Sequence, residues 1–195
     1  METKVACLTC QKLILPDTAI KNQGLCVPCA KGYRKQIEAA QKIYEEEEKY
    51  RASEEYAYWL NLSQQVSDLA DLKKLSFENQ VYFVVKILIA EVFNGGFDQY
   101  FHNSSGDYYA ETIQALKVLQ GFESLKLLES AKALLFGTLD VPTEQRLRFD
   151  ILKNVTETNN MKLDELDHSF GEFPDHLEQK LRQFVKMNDL FKVYE

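Results

Sequence analysis

Four cysteines near the N-terminus are the residues best suited to chemistry. They form two C-x-x-C pairs, Cys7 with Cys10 and Cys26 with Cys29, separated by fifteen residues. A two-residue spacer lets both thiolates of a pair reach one ion at about 2.3 Å, and the whole spacing matches that of four-cysteine zinc sites. Four cysteine ligands leave no open coordination position, so the sequence predicts one structural Zn²⁺ bound by Cys7, Cys10, Cys26 and Cys29.

The cysteine pairs have rival interpretations, an iron–sulfur cluster or redox-active dithiols. Neither the spacing of ferredoxins nor a thioredoxin-like context is present, so zinc is favoured. Gln11 and Ala30 stand where a glycine often follows the second cysteine of a zinc knuckle. Residues 13–15 and 19–20 are candidate strands of a hairpin between the two knuckles. So small a unit would take much of its folding free energy from the metal.

A second group of polar residues lies between Asn94 and Asp107. The segment holds the side-chain types of a hydrolytic site, namely His102, Asp98 and the serines at 104 and 105. No G-x-S-x-G or H-E-x-x-H motif accompanies them. We therefore interpret the segment as a hydrogen-bonded corner, with a small pocket for a peptide or ligand as the functional alternative. The alternative function is a hydrolytic or nucleic-acid-processing enzyme centred on Asn94–Asp107.

Composition and charge indicate a soluble cytoplasmic protein. No secretory h-region opens the chain, and the most apolar stretch, residues 81–93, is shorter than the roughly 20 residues of a membrane span. The net charge is −7, yet residues 1–35 carry six basic side chains and two acidic ones. The basic head could contact nucleic acid through Lys12, Lys21 and Lys31 as a zinc-ribbon nucleic-acid binder, although direct nucleic-acid binding is the weaker interpretation.

Hydrophobic periodicity predicts an all-α body arranged as a multi-helix orthogonal bundle. Three regions follow: a zinc-ribbon-like four-cysteine unit at 1–32, a charged connecting helix at 33–57 and an all-helical domain at 58–195. Within the domain we expect a helix over 60–75 and a buried one from Ser76 that stops at 94–96. Further helices are expected from Gly106 to Gly121, then to Gly137, around 147–155, and after Pro174.

The corner carries the most distinctive motif of the body. Its sequence resembles the N-G-G-F-x-Q-[FY]-F-x-N-S-S-G signature of a bacterial DNA-mimic protein family whose domain was long uncharacterised. The matching residues are Asn94, Gly95, Gly96, Phe97, Gln99, Tyr100, Phe101, Asn103, Ser104, Ser105 and Gly106. The stretch from Leu163 to Leu177 also resembles the family's C-terminal part, and the cysteine head lies outside the resemblance.

The resemblance implies an all-helical, non-catalytic protein-binding domain in which acidic side chains imitate DNA phosphates. The implied partner is another protein, such as a transcription regulator or a toxin. Candidate contacts with it are the acids between Lys162 and Lys180, namely Asp164, Glu165, Asp167, Glu172, Asp175 and Glu178. The alternative for these acids is an ordinary solvated helix face. The sequence leaves a homodimer open.

Overall fold

The computed structural model describes residues 3–172 and 174–194, except for the side chain of residue 174. The chain separates into two compact units, one up to Ala52 and one from Ser53 onward. Residues 53–57, expected in the connecting helix, therefore belong to the second unit. Phe173, which the resemblance to the DNA-mimic family includes, lies outside the described residues.

The first unit has a short strand pair followed by three helices. Strand β1 (Val5–Ala6) pairs antiparallel with β2 (Leu13–Ile14), and Val5 lies opposite Ile14. Helices α1 (Pro16–Lys21), α2 (Val27–Ala30) and α3 (Arg34–Arg51) follow.

The strand prediction for this unit is correct at 13–14 and wrong at 19–20, which lie in α1. The hairpin encloses the first cysteine pair and does not bridge the two pairs. Pro16 at the first helical position and Asp17 in the first turn both favour a helix there.

The second unit is helical throughout its described part, which confirms the all-α prediction. Its helices are α4 (Glu54–Gln65), α5 (Leu69–Leu72), α6 (Phe77–His102), α7 (Tyr109–Val118), α8 (Phe122–Phe136), α9 (Gln145–Leu152), α10 (Glu157–Gly171) and α11 (Leu177–Met187). Two 3₁₀ turns, Ser104–Tyr108 and Pro174–His176, precede α7 and α11.

Several helix boundaries differ from expectation. The helix expected over 60–75 is divided into α4 and α5, because Asp68 ends the intervening loop and caps α5 by accepting the Asp71 N–H at 2.9 Å. Gly106 lies inside a 3₁₀ turn and does not open α7. Gly137 ends α8 as expected.

Helix α6 lies at the centre of the second unit and packs against α4, α7, α9, α10 and α11. Residues 81–89 of this helix are buried or half-buried all round, as expected for a central helix. Among the described residues, α6 is also the helix long and apolar enough to cross a membrane, but over half of its apolar window is buried inside the protein. That burial is typical of the core helix of a globular domain.

Candidate metal centre and polar corner

The four cysteines converge on one point in the first unit. Cys7 follows β1, Cys10 closes the turn towards β2, Cys26 caps α2 and Cys29 lies within α2. All four Sγ atoms lie within 4.8 Å of one another, and Cys10 Sγ is 3.7 Å from Cys26 Sγ. Four sulfurs at 2.3 Å from a tetrahedral ion would be about 3.8 Å apart. The cluster therefore fits a single bound metal ion.

The two cysteine pairs reach this point by different backbone routes. Gln11 adopts φ 60°, so the first pair forms a left-handed turn without the usual glycine. The second pair is a helix N-terminus, where Pro28 lies in the first turn and the Cys29 N–H donates to Cys26 Sγ at 3.4 Å. The helix dipole there favours a thiolate. Only the first pair thus has the left-handed turn of a knuckle.

Electrostatics within the cluster favour some thiolates and disfavour others. Backbone N–H groups, chiefly that of Cys10 and then that of Cys26, lower the pKa of Cys7 to about 6. Burial opposes the ionisation of Cys26, yet hydrogen bonds, first that from Arg34, leave its pKa lowered. Burial and the neighbouring Cys26 sulfur raise the pKa of Cys29 to about 12. A divalent cation would offset the repulsion between the negatively charged sulfurs and allow all four thiolates to form together.

Arg34 belongs to this centre, and sequence reasoning missed it. The first residue of α3 donates from Nη2 to Cys26 Sγ at 3.0 Å. Its guanidinium reduces the negative charge that four thiolates would leave around a divalent ion. The sequence signal for this role is a basic residue five positions after the last cysteine. Nothing in the sequence distinguishes it from the other cations of the basic head.

In the second unit, the glycine pair divides α6 into two helical segments. Gly96 has φ 77°, a conformation that side chains rarely adopt, and a Cβ there would lie 2.1 Å from Asp167 Oδ2. The Asp167 carboxylate, from α10, accepts the Phe97 N–H at 2.8 Å and so caps the second segment. Burial raises the pKa of Asp167 despite this bond, and Asp164 and Asp98 nearby raise it further.

A buried arginine closes the far end of the corner. The Arg148 side chain, on α9, is fully buried and pairs with Asp107. It also donates to the carbonyl oxygens of Phe101 at 2.8 Å, Asn103 at 2.7 Å and Pro142 at 2.8 Å. A Cβ on residue 106 would lie 2.7 Å from Arg148 Nε, which explains the glycine at this position. Sequence reasoning did not single out Arg148.

The remaining polar side chains of the corner bond to one another. Glu91 Oε2 accepts from Gln99 Nε2 at 2.6 Å and from Asn103 Nδ2 at 2.9 Å. The Ser105 hydroxyl donates to Tyr100 O at 2.7 Å, and the Tyr100 hydroxyl donates to Thr112 Oγ1 at 2.9 Å. These contacts match the interpretation of a hydrogen-bonded corner.

The other signature residues divide between core and surface. Phe97 and Phe101 are buried, whereas Asn94 and Ser104 are exposed. One side of the corner borders a groove that residues of α6, α9 and α10 line. In it, His102 Nδ1 lies 3.3 Å from Asp98 Oδ2, and the imidazole contacts the Phe149 ring at 4.9 Å between centroids, with the two planes tilted by 41°. The histidine–aspartate pair of the enzyme alternative is therefore present, while Ser105 points elsewhere.

The six candidate acids do not form one uniform surface. Asp175 accepts the N–H groups of Glu123 at 2.7 Å and Ser124 at 2.9 Å, and so caps α8. Asp167 caps the second segment of α6, as described above. The other four are exposed, namely Asp164, Glu165, Glu172 and Glu178. Two of the six thus stabilise the fold, and a partner-binding role for the rest stays a prediction.

One of three comparisons with known proteins gave a match. Searches of the curated proteins and of the solved structures gave no match. A model of the family described as DMP19-like protein matches residues 73–188, which include α6 to α11 and the whole polar corner but not the cysteine cluster. The match spans more than half of the chain, and the chain belongs to the DMP19-like family.

Proposed function

We propose that this protein is a non-catalytic cytoplasmic binding module whose helical domain docks an acidic face onto a basic surface of another protein. The observation that carries the proposal is the exposed face of α10, together with membership of a family of DNA mimics. Four exposed carboxylates follow one another along this helix and its C-cap, and Asp98 of α6 adds a fifth nearby. The four are Glu157, Asp164, Glu165 and Glu172. We call these four side chains the α10 acidic face.

The spacing of these charges limits how much DNA they can imitate. From Glu157 to Glu172 the helix rises about 22 Å at 1.5 Å per residue. One strand of DNA carries a phosphate about every 3.4 Å of axis, or roughly six or seven over that length. The α10 acidic face therefore reproduces somewhat more than half the charge density of a single strand. This density suits a short basic segment, such as part of a DNA-binding helix.

A structural zinc ion is the second part of the proposal. The donor set consists of four thiol groups, the ligand type that zinc shares with iron–sulfur clusters. The sulfur separation of 3.7 Å fits one tetrahedral ion. When bound, zinc would act as a structural cross-link, with Cys7, Cys10, Cys26 and Cys29 as its ligands and Arg34 offsetting their charge.

The contact between His102 and Asp98 gives the enzyme alternative its only geometric support. A hydrolytic site also needs a nucleophile within reach of the histidine. The Ser105 hydroxyl is buried and donates to the backbone of Tyr100. The imidazole packs against the Phe149 ring, and both members of the pair are partly exposed, as in an ordinary surface interaction. We therefore assign no catalytic residue.

The test is capture and competition with matched variants. The full chain, loaded with zinc, is immobilised and partners are collected from a bacterial lysate at low and high salt. One variant neutralises the α10 acidic face (E157Q/D164N/E165Q/E172Q). The control neutralises four exposed acids of α8, α9 and the loop between them (E123Q/E129Q/E144Q/D150N), so the change in net charge is the same.

The proposal expects a DNA-binding protein that is retained by the wild type and the control, lost with the α10 variant, and released by added duplex DNA. Binding should weaken steeply as salt rises. Retention that is equal for both variants would refute the role of α10. A partner that duplex DNA fails to displace would refute the imitation of DNA.

A further inference from the structure

Helix α3 carries an apolar stripe whose central part is largely exposed. All eighteen of its residues are described and none is buried. Ile37, Ala40 and Tyr44 follow one another at three- and four-residue spacing and share one side of the helix, with Ile43 beside them. Ile43 and Tyr44 are each 63% exposed. An amphipathic helix normally packs such a stripe against a partner.

The charges of α3 are divided between its two halves. The first half carries Arg34, Lys35 and Lys42 against a single acid, Glu38. The second half has an excess of acids, with the run from Glu45 to Glu48 against Lys49 and Arg51. The helix is therefore basic at its beginning and acidic towards its end. Two copies attract one another only when they run in opposite directions.

We propose that α3 pairs antiparallel with α3 of a second copy of this chain. The two-fold axis would cross the helix pair at the level of residue 42. Continuing the three-four spacing assigns Tyr33, Ile37, Ala40, Tyr44, Glu47 and Arg51 to the seam of a two-stranded coiled coil. In the symmetric register, the small Ala40 lies across from the bulky Tyr44 of the second copy. Ile43 lies beside its own equivalent, as an isologous interface requires.

A parallel pair would lack these advantages. It would place the run from Glu45 to Glu48 beside the same run of the second copy, and like charges repel. It would also set Tyr44 against Tyr44 and Ala40 against Ala40, which fits less well. The paired length is about 27 Å, so the interface lies at the low end of the sizes of specific interfaces. We therefore expect a dimer that dissociates on dilution.

The first experiment measures mass against concentration for the zinc-loaded full chain. Sedimentation equilibrium from about 1 to 200 µM should show a shift towards twice the monomer mass of 22.6 kDa. The variant I43Q/Y44Q removes the exposed apolar surface but keeps good helix formers, so α3 should stay folded. We expect its dissociation constant to rise at least tenfold. Circular dichroism checks that its helix content is unchanged.

The matched control is K42Q/E45Q, which changes two exposed residues on the polar side of α3 and leaves net charge constant. It should associate as the wild type does. A wild type that is monomeric over the whole concentration range, or a dimer that I43Q/Y44Q leaves intact, would overturn the proposal. Neither variant alters the α10 acidic face, so this result is independent of the docking function.

The second experiment determines the direction of the two helices. Spin labels attached through an encoded non-cysteine handle replace either Lys35 or Lys42, which lie on the same outer side of α3. An antiparallel pair puts the two labels at 42 level with each other and those at 35 about 21 Å apart along the axis. Equal distances at the two positions would indicate a parallel pair and would overturn the proposal.

Discussion

The two units of this protein are stabilised by different means. In the first, the buried apolar side chains among the described residues are those of Cys7 and Cys26, both members of the candidate metal centre. In the second, a continuous core extends from Leu62 to Val193. A small unit without a core needs a cross-link, whereas a large one can even bury an arginine when each guanidinium nitrogen finds an acceptor.

Metal removal should have the largest effect, and on the first unit alone. A structural zinc contributes about 10–16 kcal/mol in small zinc-binding peptides, far more than the two short strands can supply. Hydrogen exchange after chelation should show lost protection in β1, β2, α1 and α2, while α6 keeps its protection. Simultaneous loss in both units would break the comparison. The variant C7S/C26S should behave like the chelated protein even when zinc is supplied.

Substitution of Arg148 should be the most damaging single change in the second unit. Arg148→Met keeps much of the volume but leaves three carbonyl groups and Asp107 without their partner. We expect a loss of about 3–5 kcal/mol in the free energy of unfolding. Urea titration followed by the fluorescence of Trp59, the single tryptophan, reports on this unit. The control Arg146→Met, exposed on the same helix, should change stability by less than about 0.5 kcal/mol.

Gly106→Ala should destabilise the same unit by about 1–3 kcal/mol, because the added methyl group would press on Arg148 Nε and on Phe101 O. Gly171→Ala serves as the control, since nothing lies within 4 Å of its Cβ position. The same urea titration applies. The double variant with Arg148→Met should lose less than the sum of the single losses, because both act on one contact. Simple additivity would contradict that explanation.

A smaller effect should appear when Asp167 titrates. Its pKa is raised in the folded state, so folding favours the protonated form and stability is gained as pH falls through that pKa. Asp167→Asn keeps an oxygen for the Phe97 N–H but cannot titrate. Between pH 7 and pH 4, the wild type should therefore gain stability relative to the variant. The gain should be below about 1 kcal/mol, because the carboxyl group is only half-buried and solvent screens it. A relative loss would contradict this sign.

The sequence revealed the parts of the molecule whose signals are local. Cysteine spacing was enough to predict the cluster, and apolar periodicity was enough to predict α6 and α11. The misplaced strand at 19–20 had a local signal too, because Pro16 followed by Asp17 is typical of a helix start. Pro16 and Asp17 are a stronger signal for a helix than Ala19 and Ile20 are for a strand.

Tertiary contacts determined what the sequence could not reveal. No bounds were predicted for α10, whose acids suggested a solvated helix face, yet Leu163 and Phe170 bury its other side against the core. No local pattern distinguishes Arg148 from other helix cations, and only the fold brings it to carbonyl groups 45 and 47 residues away. Asp167 and Asp175 likewise cap helices that are distant in sequence, so no local pattern indicates their roles.

The corner's dependence on distant residues has a consequence for synthesis on the ribosome. The hydrogen-bond partner of Phe101 O is Arg148, which is synthesised 47 residues later. The partner of the Phe97 N–H is Asp167, 70 residues later. At about 5–20 residues per second, translation of the longer interval lasts roughly 4–14 s. Throughout that time the Phe97 ring lacks Phe170, which lies 5.5 Å from it between ring centroids in the folded protein. The nascent chain therefore exposes apolar surface for several seconds, and exposed apolar surface is what ribosome-associated chaperones bind.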